Sequence, residues 1–229
     1  MRISPFFAST PLAIALTLAC SSSQAQDTPT YRAGLKSISI PSPAPELHEM
    51  GPDLRVLMEP LAPAKLRLIS AFLLSDNLNQ LPGNTAPLTK YALVEVPRAA
   101  EFHDVDETIF KTVVDGMSQQ FSSGNLQSTM QTEIDRHFAD LGAGKFTVDK
   151  PTQLGTLFSK PNASGFAMLM PMALNDKTVT LVAATLVVRV RNRVLFAYLY
   201  TQYKDKTSVD WITKTSESWV DAILKSNEP

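Results

Sequence analysis

Three apolar runs, Phe166 to Leu174, Val179 to Val190 and Val194 to Tyr203, follow one another with only Asn175-Asp176-Lys177 and Arg191-Asn192-Arg193 at the breaks. Gaps this short suit antiparallel strands joined by tight turns, so the stretch predicts a three-stranded meander. The middle run is apolar on both faces, with Val182, Ala184, Leu186 and Val188 on one side and Val179, Leu181, Ala183 and Val187 on the other. A strand of that kind needs cover above and below. The meander is therefore the middle layer of the fold. Pro171 cannot donate to a ladder, which predicts that the first of these strands is an edge or lies next to a bulge.

A covered sheet takes chain length, and 229 residues with 44% hydrophobic and 19% charged content supply enough for one ordinary domain. Formal net charge is -1, with 21 Lys and Arg against 22 Asp and Glu. That balance gives no overall field to attract nucleic acid. At the N-terminus Arg2 precedes an uncharged apolar stretch from Pro11 to Ala19 and then small and polar residues, the plan of a secretory signal peptide. The apolar stretch is too short for a membrane span, so no transmembrane segment is expected after processing. Cleavage after Ala25 would start the mature chain at Gln26. The single cysteine, Cys20, allows a competing outcome, since Leu16-Thr17-Leu18-Ala19-Cys20 resembles a lipobox in which Cys20 carries a lipid anchor. The expected location is periplasmic or secreted, with a membrane-anchored lipoprotein as the alternative. In either case no disulfide is expected in the fold.

The remaining chain divides into a polar and proline-rich leader at 26–45, with a short first strand at Ile38 and Ile40, and one domain at 46–229. Pro41, Pro43 and Pro45 form a stiff connector. Leu54, Val56 and Met58 alternate and suggest a hairpin with the apolar run Lys65 to Leu74. Ser75 to Thr89 reads as a loop, and Tyr91 to Val96 as a strand ended by Pro97. Asp104-Val105-Asp106-Glu107 has the form of a capping box, with Asp104 as the N-cap and Glu107 three residues on. The helix it opens has an apolar stripe at Val105, Ile109, Val113 and Met117, widened by Phe110, Val114 and Phe121. A second helix, or the continuation of a kinked one, runs from Leu126 to Leu141 and ends at Gly142. Thr152 to Phe158 predicts another strand. Ser208 to Ser226 predicts a last helix, capped by Thr207 or Ser208, with Ile212, Trp219, Val220, Ile223 and Leu224 on its apolar side. Strands, helix pair, strands and helix in that order give an α+β fold. The expected arrangement is a mostly antiparallel sheet packed against a central helix pair and a C-terminal amphipathic helix.

Few residues here point to chemistry. Met168, Met170 and Met172 share one strand face about 7 Å apart, and soft thioethers suit Cu(I). Phe166 and Leu174 continue the same apolar stripe, so core packing is the simpler account. The cluster from His103 to Glu107 joins an imidazole to carboxylates, but its spacing matches no metal motif and a helix cap explains it. His48 and His137 read as a solvated and a boundary residue. Gly142-Ala143-Gly144-Lys145 lacks the length of a phosphate loop, and Asn162-Ala163-Ser164 reads as a turn into the meander. On the last strand Phe196, Tyr198 and Tyr200 face away from Leu195, Ala197 and Leu199. The second set, with its small Ala197, suits a packed helix, and the first could form a core rim or line a pocket. No catalytic, cofactor-binding or metal residue is assigned, and no cofactor is expected.

The element order, with a leader, N-terminal strands, a central helix, a meander ending Tyr198-x-Tyr200 and a final helix carrying Trp219, resembles the PsbP-like and DcrB-like group of exported domains. The resemblance covers roughly Leu35 to Ser226. It implies an accessory, binding or assembly factor of the cell envelope without enzymatic activity. Its partner would be an envelope protein or a small apolar ligand. The alternatives are an inhibitor or immunity-type protein for an exported partner and, ranked lower, a small metal-dependent enzyme using the His103 to Glu107 cluster.

Overall fold

The computed structural model describes residues 28–59, 62–76, 88–122, 146–174 and 177–228. Its first half contains β1 (Thr30–Ala33), β2 (Lys36–Ser39), β3 (Leu47–Glu49), α1 (Pro52–Met58), β4 (Leu66–Leu74), β5 (Lys90–Pro97) and α2 (Glu107–Ser122). The second half contains β6 (Phe146–Val148), β7 (Thr152–Lys160), β8 (Ala163–Leu174), β9 (Lys177–Val190), β10 (Arg193–Gln202) and α3 (Lys206–Lys225). An antiparallel sheet runs in the order β3-β4-β5-β10-β9-β8-β6, with β7 also paired to β8, and β1-β2 forms a separate hairpin. The fold is thus α+β with the meander at its centre.

The two faces of β9 divide as its alternation requires. Val182, Ala184, Leu186 and Val188 join Leu195, Ala197 and Leu199 in the core beneath Ile212, Trp219, Val220 and Ile223 of α3. Leu181, Ala183 and Val187 join Phe166 and the three methionines of β8 beneath Phe110 and Phe121 of α2. In α2 the buried stripe runs through Phe110, Val113, Val114, Met117 and Phe121. Ile109 falls outside it and is 47% exposed, which corrects the four-residue spacing expected from sequence. The second helix expected at 126–141, with His137, lies outside the described residues, as do the leader to residue 27 with Cys20 and the Gly142 to Lys145 turn. Among the described residues no helix is long and apolar enough to cross a membrane.

Several boundaries differ from expectation for visible reasons. Leu54, Val56 and Met58 lie in helix α1, because Pro52 sits in its first turn and presets helical φ; β4 pairs instead with β3 and β5. Helix α1 also covers the free edge of β4: Arg55 Nη1 donates to Ile69 O at 3.1 Å, and Glu59 accepts the Leu68 N–H at 3.0 Å. An edge closed by side chains has no free pairing groups at those positions. The cap of α2 is Asp106, whose Oδ1 accepts Ile109 N–H at 2.8 Å, rather than Asp104. Helix α3 starts two residues early, with Asp205 accepting Thr207 N–H at 2.8 Å. Strand β8 is internal, not an edge. Pro171 lies opposite the break between β6 and β7, where Asp149 N–H donates to Pro171 O at 3.0 Å. The missing N–H of Pro171 therefore points to a gap in the ladder.

The segment read as a leader carries β1 and β2. Tyr31, Ala33, Ile38 and Ile40 are buried in the same core as α3. Asn227, just past α3, locks the hairpin by accepting Ser39 N–H at 2.9 Å and donating to Ser39 O at 2.7 Å. The Trp219 indole packs edge-on to Phe72 and donates to Pro41 O at 2.8 Å, so the proline connector is tied to the helix.

Candidate functional site

Three turns meet at one end of the molecule. The β1–β2 turn brings Gly34 and Leu35, the segment 98–106 brings Phe102, and the β9–β10 turn brings Arg191 and Asn192, both left-handed as a two-residue hairpin requires. Glu101 joins the first two. Its carboxylate accepts Gly34 N–H at 3.1 Å and the Arg67 Nε–H at 3.1 Å, and pairs with Arg67 Nη2, which also donates to Arg32 O at 2.7 Å. The Arg67 guanidinium holds the Glu101 carboxyl below its ordinary range. Gly34 has φ +58°, and a Cβ there would fall 2.3 Å from Glu101 O and 3.3 Å from the Phe102 Cα. Only glycine permits that approach.

The far side of the loop is equally fixed. Buried Arg193 donates from Nη1 to His103 O and Asn192 O, both at 2.9 Å, and pairs with Asp104, whose carboxyl it holds below the usual value. Val105 N–H donates to Asn192 O at 3.0 Å, and Arg98 N–H donates to Lys65 O at 2.9 Å. Between these anchors Phe102 is 66% exposed, and Leu35, next to Gly34 on the adjoining turn, is 78% exposed. Next to them lies a shallow concavity of about 560 Å³ lined by Lys36, Arg191, Asn192 and Asn227. Apolar side chains on a tightly bonded mount, near the exposed cations Lys36 and Arg191, can recognise a partner at little ordering cost.

The aromatic face of β10 is built differently. Tyr200 stacks on its cross-strand partner Tyr91, with centroids 4.4 Å apart, and Tyr198 lies 6.4 Å from Tyr200 along the strand. The Tyr198 hydroxyl hydrogen-bonds Glu95, which is 4% exposed. Burial, with the Glu59 charge adding to it, pushes the Glu95 carboxyl up to about 7 against the opposing Tyr198 bond. Burial likewise raises all three tyrosines. Tyr91, Tyr200 and Phe196 pack onto the α2-side core, so these rings extend that core toward β5.

The other sequence candidates separate. Met168, Met170 and Met172 are buried among α2 side chains and act as packing. In the His103 to Glu107 cluster, Asp104 pairs with Arg193 and Asp106 caps α2, while His103 is exposed. Among the described residues no group of three His, Cys, Asp or Glu side chains is placed to hold a metal. His48 is exposed but lies in β3. Asn162 does form a turn, where its Oδ1 accepts Arg189 Nε–H at 2.9 Å. Sequence reasoning missed Leu35, Phe102 and Glu95. The signals present were a Gly-Leu turn between the alternations Tyr31/Ala33 and Ile38/Ile40, and an acid on the Tyr91/Leu93 face of β5.

No protein-family model and no curated protein matches the chain. Among solved structures, the Saccharomyces cerevisiae Ran-binding protein Mog1p covers 86% of this chain and 94% of its own, at 8% identity and a TM-score of 0.33. A point mutant of Mog1 gives the same coverage and identity with a TM-score of 0.34. A Pseudomonas aeruginosa protein of unknown function aligns over the same shares at 12% identity and a TM-score of 0.19.

Proposed function

We propose that this chain is an exported accessory protein of the cell envelope that works by binding another protein, without chemistry of its own, through the Leu35–Phe102 end. The observation that carries the reading is the mounting of the exposed pair. Lone exposed apolar residues are ordinary on any surface. Here two large ones lie on adjoining turns, where a Cβ on Gly34 would fall 3.3 Å from the Phe102 Cα, and Glu101, Arg67 and Arg193 hydrogen-bond the backbones beneath them. The signal-peptide plan at the N-terminus and the architectural resemblance to PsbP-like and DcrB-like domains support the envelope setting. The carboxylates nearest Phe102 are committed to Arg67, Arg193 and a helix cap, which favours recognition over an acid-base role there.

Two measurements test the reading. Mass spectrometry of the chain recovered from its native cell should find either Gln26 or acylated Cys20 at the N-terminus; an unprocessed Met1 overturns export. Crosslinking in intact cells with wild type and Leu35→Ser/Phe102→Ser should show one stoichiometric protein partner whose yield falls at least tenfold in the variant. Equal yield from a folded variant moves the contact away from this end.

A further inference from the structure

We infer that the segment received at the Leu35–Phe102 end is acidic, with an apolar anchor against Leu35 and Phe102 and a carboxylate beside it in the Lys36–Arg191 concavity. This inference rests on the binding reading above and adds the partner's chemistry. Three acids of this end are bonded: Glu101 to Arg67 and the Gly34 N–H, Asp104 to Arg193, and Asp106 to the first turn of α2. Glu107, in that first turn, and Glu228, which follows Asn227, are exposed and make no side-chain hydrogen bond or ion pair among the described residues. The cations of the hairpin and turn are different. Arg32 and Lys36 are exposed and have no ion pair among the described residues, and Arg191 bonds only the carbonyl oxygens of Ser37, at 3.2 Å, and Asn227. Lys36 lies close enough to Asp104 to help lower its carboxyl, but the lining of the concavity of about 560 Å³ carries Lys36 and Arg191 and no carboxylate. A carboxylate is the group that such a cleft attracts.

Two other occupants fit less well. A second copy of the chain would bring the same cations against themselves in a two-fold contact. An anionic lipid surface would meet Asp104, whose side chain is 67% exposed, and Asp106 and Glu107 immediately after Phe102. A membrane is broad enough to press its headgroups on those carboxylates as well, whereas a single carboxylate seated between Lys36 and Arg191 is not.

The test uses the purified full chain and an array of random-sequence dodecapeptides, read by binding at low and at 0.5 M salt. The expected hits contain a leucine or aromatic residue within three positions of Asp or Glu. Their affinity should fall about tenfold in high salt and about tenfold in Lys36→Glu, and be lost in Leu35→Ser/Phe102→Ser. Arg32→Glu is the second charge variant, since neither Arg32 nor Lys36 supports the backbone through its side chain. Hits that need Leu35 and Phe102 but carry no acid, or ignore Lys36→Glu, overturn the acidic partner and leave the binding end standing. Hits indifferent to Leu35→Ser/Phe102→Ser, or no hits, overturn both. Co-sedimentation with phosphatidylglycerol vesicles should leave the chain in the supernatant, and sedimentation that Lys36→Glu abolishes would overturn the protein partner in favour of a membrane.

Discussion

Glu95 sets the pH response of the fold. Its carboxyl rises from 4.5 to about 7 through burial and the nearby Glu59 charge. A raised acid holds its proton longer in the folded state, so its contribution is complete below about pH 4.5 and is lost as pH climbs to about 7. That shift corresponds to roughly 3 kcal/mol. Glu101 and Asp104 act in the opposite direction, since their carboxyls are lowered and their contribution fades as pH falls into the carboxylate range. Urea denaturation should therefore show stability declining between pH 5 and pH 7. In Glu95→Gln that decline should flatten, with the variant about 2 kcal/mol more stable than wild type at pH 8. A wild-type slope in the variant would assign the decline to another group. Gly34 makes a second residue-scale prediction. Alanine there meets both a left-handed φ and Glu101 O at 2.3 Å, so Gly34→Ala should cost about 2 kcal/mol or more in a thermal melt.

Among the elements, the helix starts separate local sequence logic from tertiary demand. Asp104-x-x-Glu107 looks like a capping box, but Asp104 is drawn to buried Arg193, and the cap passes to Asp106. Asp106→Ala should then lose about 1 kcal/mol and Glu107→Ala a few tenths at most, as read from denaturant midpoints; the reverse ranking would restore the box to Asp104. The meander, β5 and α3 were legible because each repeats its pattern over enough residues to fix a face, as Ile212, Trp219, Val220 and Ile223 do for α3. Helix α1 was not, since Leu54, Val56 and Met58 satisfy a strand period over so short a run. Leu35 and Phe102 were invisible for a related reason. Nothing local shows that a turn near residue 34 will lie against one near residue 101.

On the scale of the whole molecule, the N-terminal hairpin decides whether residues before the proline connector are a detachable leader or part of the domain. Tyr31, Ala33, Ile38 and Ile40 share one core with Phe72, Trp219 and Ile223, and Asn227 binds Ser39 through both its amide groups. Burying an isoleucine is worth about 1.5–3 kcal/mol. Two of them with Tyr31 therefore contribute on the order of 5 kcal/mol, comparable to the entire net stability of many domains. The hairpin is also the mount for Leu35, so one deletion should remove both stability and recognition. A chain lacking residues 26–40 should lose its cooperative thermal transition and bind a hydrophobic dye at 25 °C, because the α3-side core would open to solvent. A chain lacking only residues 26–28 removes none of those buried side chains and should melt as the full chain does. If the longer deletion melts cooperatively at the full-length temperature, the hairpin does not contribute the energy assigned to it. Ser39→Pro offers a milder check. It removes the N–H that Asn227 accepts at 2.9 Å while leaving Ile38 and Ile40 in the sequence, and it should lower the melting temperature without abolishing the transition.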